Sequence, residues 1–232
     1  MCKGEEIIKE AREEKRNWLL ENEAEELLEI YGIKVPPRDI AKTLEEGKKI
    51  ASRLGYPVAI KILSPQILHK SDVGGVRTGI ESGERLAKEW EDMLKTVGER
   101  VPSYEFRGIL IQKMAPPGGT EIIIGGMRDD TFGPVVMFGL GGIWVEVMED
   151  VTFRVAPIDQ EEARKMIEDI RGKKILYGVR GEKTRDIPSL ARTISLVSRI
   201  LDSHPSIKEI DLNPVFVYEK GLLCVDARIT LT

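Results

Sequence analysis

Lys61 lies in the middle of an apolar strand pattern, where its charge needs an explanation. In YPVAIKIL (residues 56–63), large aliphatic residues alternate with Ala59 and Lys61, so the lysine side chain faces away from the aliphatic side of the predicted strand. Burying an ammonium group is costly unless it meets an anion, which makes a phosphate oxygen one possible partner. The alternative is a surface lysine whose stem lies along the sheet while its charge reaches water.

A turn-rich loop, SPQILHKSDVGG, follows this strand and ends in Gly74 and Gly75. The neutral imidazole of His69 in this loop could act as a nucleophile that carries a phosphoryl group, and Asp72 could fix its tautomer by accepting from the other ring nitrogen. An ordinary hydrogen-bonded loop histidine is the alternative. The second histidine of the sequence, His204, is predicted to cap the C-terminus of a helix.

Two β-branched runs, GILIQKM and EIIIGG, flank a stiff linker, PPGG. Adenine requires an apolar slot with one backbone donor and one acceptor at the end of a strand, and Gln112, Lys113 and Met114 could provide them. Glu121, at the start of the second run, could accept hydrogen bonds from ribose hydroxyls. These residues outline a candidate nucleotide site along the linker.

A glycine cluster, GLGG, closes the second predicted hairpin and includes Gly141 and Gly142. Glycine permits positive φ and lets backbone N–H groups turn toward an anion, so contact with phosphate is one interpretation. Two hairpins with glycine corners would give the same pattern without any ligand. The cluster alone does not distinguish these alternatives.

The last two strands of the sequence place an amide and a carboxylate opposite each other. IKEIDLNPVFVY and LLCVDARI predict an antiparallel hairpin, and a two-residue turn between them sets Asn213 opposite Asp226. Their Cβ atoms would lie about 5 Å apart, with Asp211 one step along the same face, which suits oxygen ligation of Mg²⁺. Pro214 cannot donate to the ladder, so its strand is predicted to lie at an edge or to bulge there. Acids that simply face water are the alternative.

The elements that must position these residues follow from periodicity and capping signals. Residues 5–31 predict an amphipathic helix or helix pair, and a following helix is capped by Thr43, with Glu46 in a capping box and Gly55 at its end. Further helices are predicted over residues 84–98, 159–170 and 189–201. The polar segment 172–188 shows no helical period, and its length is typical of a functional loop or a lid.

Composition and charge exclude several classes of protein. The 232 residues, 41% of them hydrophobic, suffice for one large or two small domains. A net charge of −4 without a basic block argues against a nucleic-acid surface and against a polybasic membrane patch. Two cysteines give no disulfide framework, and no segment reaches the roughly 20 apolar residues of a membrane-spanning helix. The N-terminus is charged where a signal peptide would be apolar, so a cytoplasmic protein is expected.

In this chain order, the features resemble an ATP-grasp domain. KILSPQILHKSDVGGV, GGMRDDTFGPVVMFGLGGIWVEVMED, YGVRGEKTRDI, and DLNPVFV followed by CVDARI are similar to the β subunit of ADP-forming acetyl-CoA synthetases, within the succinyl-CoA synthetase superfamily. The resemblance covers essentially the whole chain, and HKSDVGGV and DLNP are its most specific motifs. It implies an α+β ATP-grasp fold in which two α+β subdomains hold the nucleotide between antiparallel sheets. The smaller subdomain would span residues 37–113, and residues 114–232 with the helical segment 1–36 would form the other.

The resemblance also implies a role for each candidate residue. The implied contacts to ATP or ADP are Lys61, Gln112, Lys113, Met114, Glu121, Gly74, Gly75, Gly141 and Gly142. The implied Mg²⁺ ligands are Asn213 and Asp226, with Asp211 as a further candidate. The implied catalytic residues are Lys61 and His69, the latter as a phosphohistidine.

A second polypeptide is part of the same expectation. Succinyl-CoA synthetase β subunits continue into a second α/β domain, whereas this sequence ends after the predicted metal hairpin, and no G-x-G-x-x-G motif follows a strand. The CoA and acyl chemistry would therefore belong to an α subunit, in an α2β2 heterotetramer. The implied reaction is acyl-CoA + ADP + phosphate ⇌ acid + CoA + ATP.

Two other functions fit part of the pattern. An ATP-grasp carboxylate ligase would share the nucleotide residues, but it would need an acyl-phosphate acceptor pocket in the same chain and no catalytic histidine. A nucleotide-sensing ATP-grasp module would bind ATP without turnover. Phosphorylation of the chain by ATP alone would distinguish the ADP-forming CoA ligase subunit from the carboxylate ligase.

Overall fold

The computed structural model describes residues 3–142, 150–179, 181 and 183–232. The chain divides into two compact units, a smaller one formed by Pro36–Ala115 and a larger one formed by Met1–Val35 with Pro116–Thr232. Each unit pairs helices with one antiparallel sheet, which confirms the predicted α+β class. Parts of the GLGGIWVEVMED run and of the YGVRGEKTRDI loop, namely residues 143–149, 180 and 182, lie outside the described residues.

Among the described residues, helices and strands are mixed along the chain, with a run of four strands in its middle and a run of three at its end. Their bounds in chain order are α1 (Lys3–Glu13), α2 (Glu21–Ile30), β1 (Arg38–Ala41), α3 (Leu44–Leu54), β2 (Val58–Leu63), β3 (Val76–Ile80), α4 (Gly83–Arg100), β4 (Gly108–Lys113), β5 (Thr120–Asp129), β6 (Gly133–Leu140), β7 (Val151–Val155), α5 (Gln160–Asp169), a 3-10 helix (Arg171–Ile175), α6 (Ile187–Ser203), β8 (Ile207–Val217), β9 (Leu222–Cys224) and β10 (Ala227–Leu231). The predicted N-terminal helical pattern is thus a helix pair, and the three later predicted helices are confirmed as α4, α5 and α6.

The smaller unit is built on a four-stranded sheet with strand order β1-β4-β2-β3. The core lies on one face, where Ile60 and Ile62 of β2 belong to one buried cluster with Trp90 and Met93 of α4. Residues of β2 and β4 that point away from this cluster include Lys61, and they are buried as well. Both faces of β2 are therefore withdrawn from solvent.

Helix α3 begins and ends where the sequence predicts. The hydroxyl oxygen of Thr43 accepts from the N–H of Glu46, and the Glu46 carboxylate accepts from the N–H of Thr43, each at 3.3 Å. Gly55 follows the last turn with φ of +77°, a conformation that glycine adopts without a steric penalty. The capping box and the C-terminal glycine are both confirmed.

The larger unit is built on a six-stranded sheet with order β10-β8-β5-β6-β7, and β9 also pairs with β8. Its core covers one face of that sheet, where Ile122 and Ile124 of β5 are fully buried in one cluster with Phe138 of β6 and with Ile194 and Val197 of α6. Alternate residues of the strands point to the other face, which we call the second face of the sheet. The predicted site residues of this unit lie on or beside that second face.

The C-terminal hairpin has the predicted register. Val215 is the partner of Cys224, and Asp211 is the partner of Arg228, so the residue numbers of both pairs sum to 439. The N–H of Tyr218 donates to the carbonyl oxygen of Gly221 (3.0 Å), which closes the two-residue turn. Register was therefore readable from turn length and strand pattern alone.

Pro214 marks a bulge and not a sheet edge. The predicted edge position is wrong, because β8 lies between β5 on one side and β9 and β10 on the other. The predicted bulge is confirmed, since Ile123 of β5 alone stands opposite Asn213 and Pro214, while its neighbours on either side pair with Leu212 and Val215. Because the bulge inserts one residue, Pro214 does not occupy a position that must donate a hydrogen bond to the ladder.

The polar segment 172–188 is less loop-like than predicted. The 3-10 helix Arg171–Ile175 occupies its start, and α6 begins at its end. Between them, the N–H of Arg185 donates to the carbonyl oxygen of Leu176 (2.8 Å), and its Nε donates to Oγ1 of Thr120 (2.7 Å). The described part of this segment is thus fastened to the rest of the larger unit.

His204 follows the last residue of α6, as predicted, but not as a cation facing the helix end. Its Nε2 lies 2.7 Å from the hydroxyl of Tyr31, and its ring is 5% exposed. Burial lowers the pKa of His204, so the neutral imidazole is favoured.

Two further expectations concern the whole chain. Among the described residues, no helix combines the length and the apolar character that crossing a membrane requires. Cys224 is a buried thiol that donates to the carbonyl oxygen of Asp226 (3.3 Å), and Cys2 lies outside the described residues.

Candidate functional site

Lys61 lies on β2 with 4% of its surface exposed, so the interpretation as a surface lysine is wrong. Its Cα partner on β4 is Leu110, and two positions along the ladder, on the same face, Ala59 pairs with Gln112. Lys61 and Gln112 therefore project from adjacent strands toward the same side of the sheet, away from the aliphatic core. Gln112 is 1% exposed, so a cation and an amide are buried side by side in the smaller unit.

The loop after β2 is closed against that strand by Gly75. The N–H of Gly75 donates to the carbonyl oxygen of Lys70 (2.7 Å), and the carbonyl oxygen of Gly75 accepts from the N–H of Ile62 (2.8 Å). A Cβ at position 75 would lie 2.4 Å from Cγ2 of Ile62, so only glycine permits this approach. Gly74 adopts φ of +73°, and His69 is exposed within the loop.

The carbonyl oxygen of Asp72 accepts from Nη1 of Arg100 at 2.5 Å, which ties the loop to α4. Asp72 itself is exposed. Its role in setting the tautomer of His69 stays a prediction.

The predicted adenine hinge has its own backbone partners. The N–H of Lys113 donates to the carbonyl oxygen of Pro37 (2.9 Å), and the N–H of Met114 donates to that of Pro57 (3.2 Å). The ammonium group of Lys113 donates to the carbonyl oxygen of Gly55 (2.7 Å), the residue that ends α3, where a cation is favoured by the helix dipole. In this structure, neither of the two amides is the donor that adenine would need.

Glu121 lies beneath the glycine cluster at the end of β6. The N–H of Gly141 donates to the carbonyl oxygen of Glu121 (2.9 Å), and a Cβ on Gly141 would lie only 2.6 Å from Cγ of Glu121. Gly142 has φ of +62°, as expected for a turn glycine. The structure thus brings Glu121, Gly141 and Gly142 together, but the amide of Gly141 extends the sheet instead of turning toward an anion.

The N–H of Asn213 donates to the carbonyl oxygen of Asp226 at 3.2 Å, so the predicted pair of metal ligands is adjacent. Asn213 is exposed and Asp226 is half-buried. Asp211, the further candidate, forms an ion pair with Nη2 of Arg228 at 2.9 Å. Asp211, in its ion pair with Arg228, thus lies beside the Asn213–Asp226 pair.

The donor set of this pair fits Mg²⁺. Mg²⁺ prefers oxygen ligands and in nucleotide sites is held by one or two carboxylates together with phosphate oxygens and water. Among the described residues, no group of three or more His, Cys, Asp or Glu side chains is arranged to hold a metal ion by itself. Two oxygen donors of this kind suit an ion that also takes phosphate oxygens and water as ligands.

The predicted residues fall into one set in each unit. The smaller unit contains Lys61, His69, Gly74, Gly75, Gln112, Lys113 and Met114. The larger unit contains Glu121, Gly141, Gly142, Asp211, Asn213 and Asp226. Within the sets, the structure joins Lys61 with Gln112, Glu121 with the two glycines, and Asn213 with Asp226.

Sequence reasoning missed Arg228, Arg185 and Tyr218. Arg228 was within reach, because the hairpin register that pairs Asn213 with Asp226 also pairs Arg228 with Asp211. The hydrogen bond of Arg185 to Thr120 joins residues 65 positions apart, and that of Tyr218 to Pro116 joins residues 102 positions apart. No local sequence pattern predicts either bond.

Comparison with known proteins places this geometry in a family. Residues 10–231 match the ATP-grasp domain model. The chain is 46% identical to the β subunit of acetate–CoA ligase (ADP-forming) I from Pyrococcus furiosus, over 100% of this chain and 99% of that protein. It is 48% identical to the β subunit of enzyme II of the same organism, over 99% of each chain.

Solved structures agree. A dinucleotide-forming acetyl-coenzyme A synthetase 1 of Ca. Korarchaeum cryptofilum, in complex with coenzyme A, Ca-AMPCP and HgCl⁺, superposes with a TM-score of 0.95 at 44% identity, covering 99% of this chain and 100% of that one. Another structure of that enzyme, with coenzyme A and Mg-AMPPCP, gives a TM-score of 0.85 at 41% identity with the same coverage. The chain therefore belongs to the ATP-grasp family and, within it, to the β subunits of ADP-forming acetate–CoA ligases.

Proposed function

We propose that the chain is the nucleotide-binding subunit of an ADP-forming acyl-CoA ligase and transfers a phosphoryl group from a phosphohistidine to ADP. The overall reaction is acyl-CoA + ADP + phosphate ⇌ acid + CoA + ATP. The observation that carries this proposal is the end-to-end similarity to two acetate–CoA ligase β subunits. The related structure with Mg-AMPPCP, described with its phosphohistidine segment pointing towards the nucleotide binding site, supports the same chemistry.

The residues on the two sheets supply binding and charge neutralisation. The buried ammonium group of Lys61 offsets negative charge on the phosphoryl group during transfer, which is the main task of a protein in this chemistry. Glu121 accepts hydrogen bonds from ribose hydroxyls. Asn213 and Asp226 hold Mg²⁺, which when bound neutralises charge on the phosphate oxygens.

His69 acts as the phosphoryl carrier. Toward ATP formation, a terminal oxygen of ADP attacks the phosphorus of the phosphohistidine, the N–P bond breaks, and the electron pair returns to the ring nitrogen. In the opposite direction the neutral imidazole attacks the γ-phosphorus of ATP, and ADP leaves. The exposure of His69 in a glycine-closed loop suits a group that must meet more than one partner.

A separate α subunit supplies the CoA and acyl chemistry. Two longer relatives support this division, because the chain matches only 33% of a 4-hydroxybutyrate–CoA ligase from Nitrosopumilus maritimus and 32% of an acetate–CoA ligase from Methanocaldococcus jannaschii. We propose that the remainder of each polypeptide carries the chemistry that we assign to the partner. We propose an α2β2 heterotetramer that operates in the cytoplasm.

Labelling with γ-³²P-ATP and Mg²⁺ tests the carrier role, on the chain alone and in complex with its partner. We expect an acid-labile, base-stable label that disappears in His69→Asn while nucleotide binding persists. His204→Asn is the matched control, since His204 is the other histidine of the sequence and bonds to Tyr31 within the larger unit. This control should retain the label.

A label that survives acid, or that persists in His69→Asn, would contradict the proposal. The other two functions predict a different pattern. A carboxylate ligase or a nucleotide sensor would bind Mg·ATP, as measured by calorimetry, and would yield no histidine label in either preparation.

A further inference from the structure

The β8–β9 hairpin is bonded to both places where the chain passes between the two units. The N–H of Cys224 donates to the carbonyl oxygen of Lys34 (2.9 Å). Lys34 comes one residue before Val35, where the chain leaves the larger unit. The hydroxyl of Tyr218 donates to the carbonyl oxygen of Pro116 (2.8 Å), the first residue of the chain on its return. One hairpin of the larger unit thus anchors both crossing segments.

The linker that begins at Pro116 also lies flat on this hairpin. A Cβ on Gly119 would come within 2.9 Å of Cβ of Phe216 and of Cε1 of Tyr218, so the backbone passes in direct contact with both side chains. Burial raises the pKa of Tyr218, so its hydroxyl keeps the donated proton at neutral pH. Two residues after Gly119, the chain reaches Glu121 near the start of β5.

The turn that presents Tyr218 is itself held in place. The N–H of Asp186 donates to the carbonyl oxygen of Tyr218 (2.8 Å), and the Asp186 carboxylate accepts from the N–H of Gly221 (2.6 Å). Asp186 is also the N-cap of α6, since it accepts from the N–H of Ser189 (3.0 Å). The hydroxyl of Tyr218 is therefore fixed relative to a core helix.

We infer that Tyr218 is a positioning residue for the nucleotide site, because its hydrogen bond to Pro116 sets how the linker enters β5 and hence where Glu121 stands. Tyr218 touches no reacting atom in this scheme. The inference rests on the proposed function, which makes Glu121 a ribose contact. It adds a residue whose removal should weaken nucleotide binding more than it slows phosphoryl transfer.

Tyr218→Phe tests the inference, because it removes the hydroxyl and keeps the ring against Gly119. Calorimetry of the full chain should show the Kd for Mg·ADP raised about threefold to tenfold, the equivalent of one hydrogen bond. In the complex with the partner, the KM for ADP should rise similarly while kcat changes less than about twofold. Hydrogen exchange should accelerate in the peptide that contains residues 115–121.

Tyr31→Phe is the matched control. It also removes one partly buried tyrosine hydroxyl, but this one bonds to His204. The control should leave both the Kd and the exchange of residues 115–121 unchanged. Equal weakening in both variants would overturn the inference, and so would a Tyr218→Phe chain that binds Mg·ADP like the parent. If the parent chain itself fails to bind Mg·ADP, the proposed function falls together with the inference.

Discussion

Asp211 and Asp226 lie near each other on the C-terminal hairpin, and both are candidate ligands of Mg²⁺. Asp211 is held in an ion pair by Arg228, which sits directly across the ladder. Asp226 stands beside the exposed amide of Asn213 at the bulge. We predict that Asp226, which faces Asn213 across the hairpin, is a ligand of Mg²⁺.

Asp226→Asn should raise the Mg²⁺ concentration that half-saturates ADP-dependent turnover by about tenfold or more, because a ligand loses its charge while keeping its shape. A Mg²⁺ titration of the complex at fixed ADP measures this shift. Glu209→Gln is the matched control, since it neutralises another carboxylate on the second face of the same sheet. If the two titrations coincide, the hairpin has only a structural role.

The position of Lys61 shows what a residue pattern can and cannot predict. Alternation along β2 correctly separates Lys61 from the aliphatic core. Its burial could not be predicted, because the period of a strand does not reveal what covers its other face. The decision between a surface lysine and a buried one needed the structure.

At the scale of elements, features set by local physics were predictable. The caps of α3 depend on residues three to four positions apart, and the hairpin register depends on a two-residue turn, so both were read correctly. Strand order is not local, so the sequence left two alternatives for Pro214, an edge and a bulge. The contact of Lys113 and Met114 with adenine stays a prediction, and no local pattern indicates that their N–H groups bond to Pro37 and Pro57.

The glycine that closes the His69 loop should not tolerate a side chain. Gly75→Ala should lower the free energy of unfolding by about 1–3 kcal/mol, because the new Cβ would overlap Ile62 and press on the carbonyl oxygen of Lys70. Urea denaturation followed by circular dichroism measures this loss.

Gly98→Ala is the contrasting substitution in the same unit. Gly98 lies within α4, and a Cβ there would meet no atom within 4 Å. The variant should be stabilised by up to about 1 kcal/mol through helix propensity. A Gly75→Ala chain as stable as Gly98→Ala would show that the loop adjusts freely.

At the scale of the whole molecule, the resemblance in sequence indicated the fold and the family. The hydrogen bonds between residues far apart in the sequence became visible only in the structure. The bonds Tyr218–Pro116 and Arg185–Thr120 stabilise the larger unit around the linker. Each is formed only after distant parts of the chain have folded together. Patterns within short stretches of sequence therefore cannot predict these two bonds.

The stability of the larger unit should depend on pH through His204. Burial lowers the pKa of this ring below its ordinary value of 6.5, so the unfolded chain takes up the proton first as the pH falls. The stabilising contribution of the neutral ring is complete above that value and is lost as the pH falls through the folded-state pKa. The urea midpoint should therefore drop between pH 7 and pH 5.

His204→Asn should show a smaller drop over the same range, whereas His69→Asn, altered at an exposed position, should show the full drop. Parallel urea titrations at pH 7, 6 and 5 check both variants. Identical drops in all three proteins would assign the pH dependence to other groups.

The bulge at Asn213 and Pro214 has a consequence for how this gene can change. Because two residues face one, both Leu212 and Val215 point into the core although they are an odd number of positions apart. Loss of a single codon at the bulge would leave one residue opposite Ile123 and restore regular alternation, so Val215 and Val217 would still point into the core. A loss elsewhere in β8 would instead turn the residues on one side of it to the opposite face. The fold should therefore tolerate a single-codon deletion at the bulge better than elsewhere in β8, while the turn at Glu219 and Lys220 should keep its length, because that length sets the register of the hairpin.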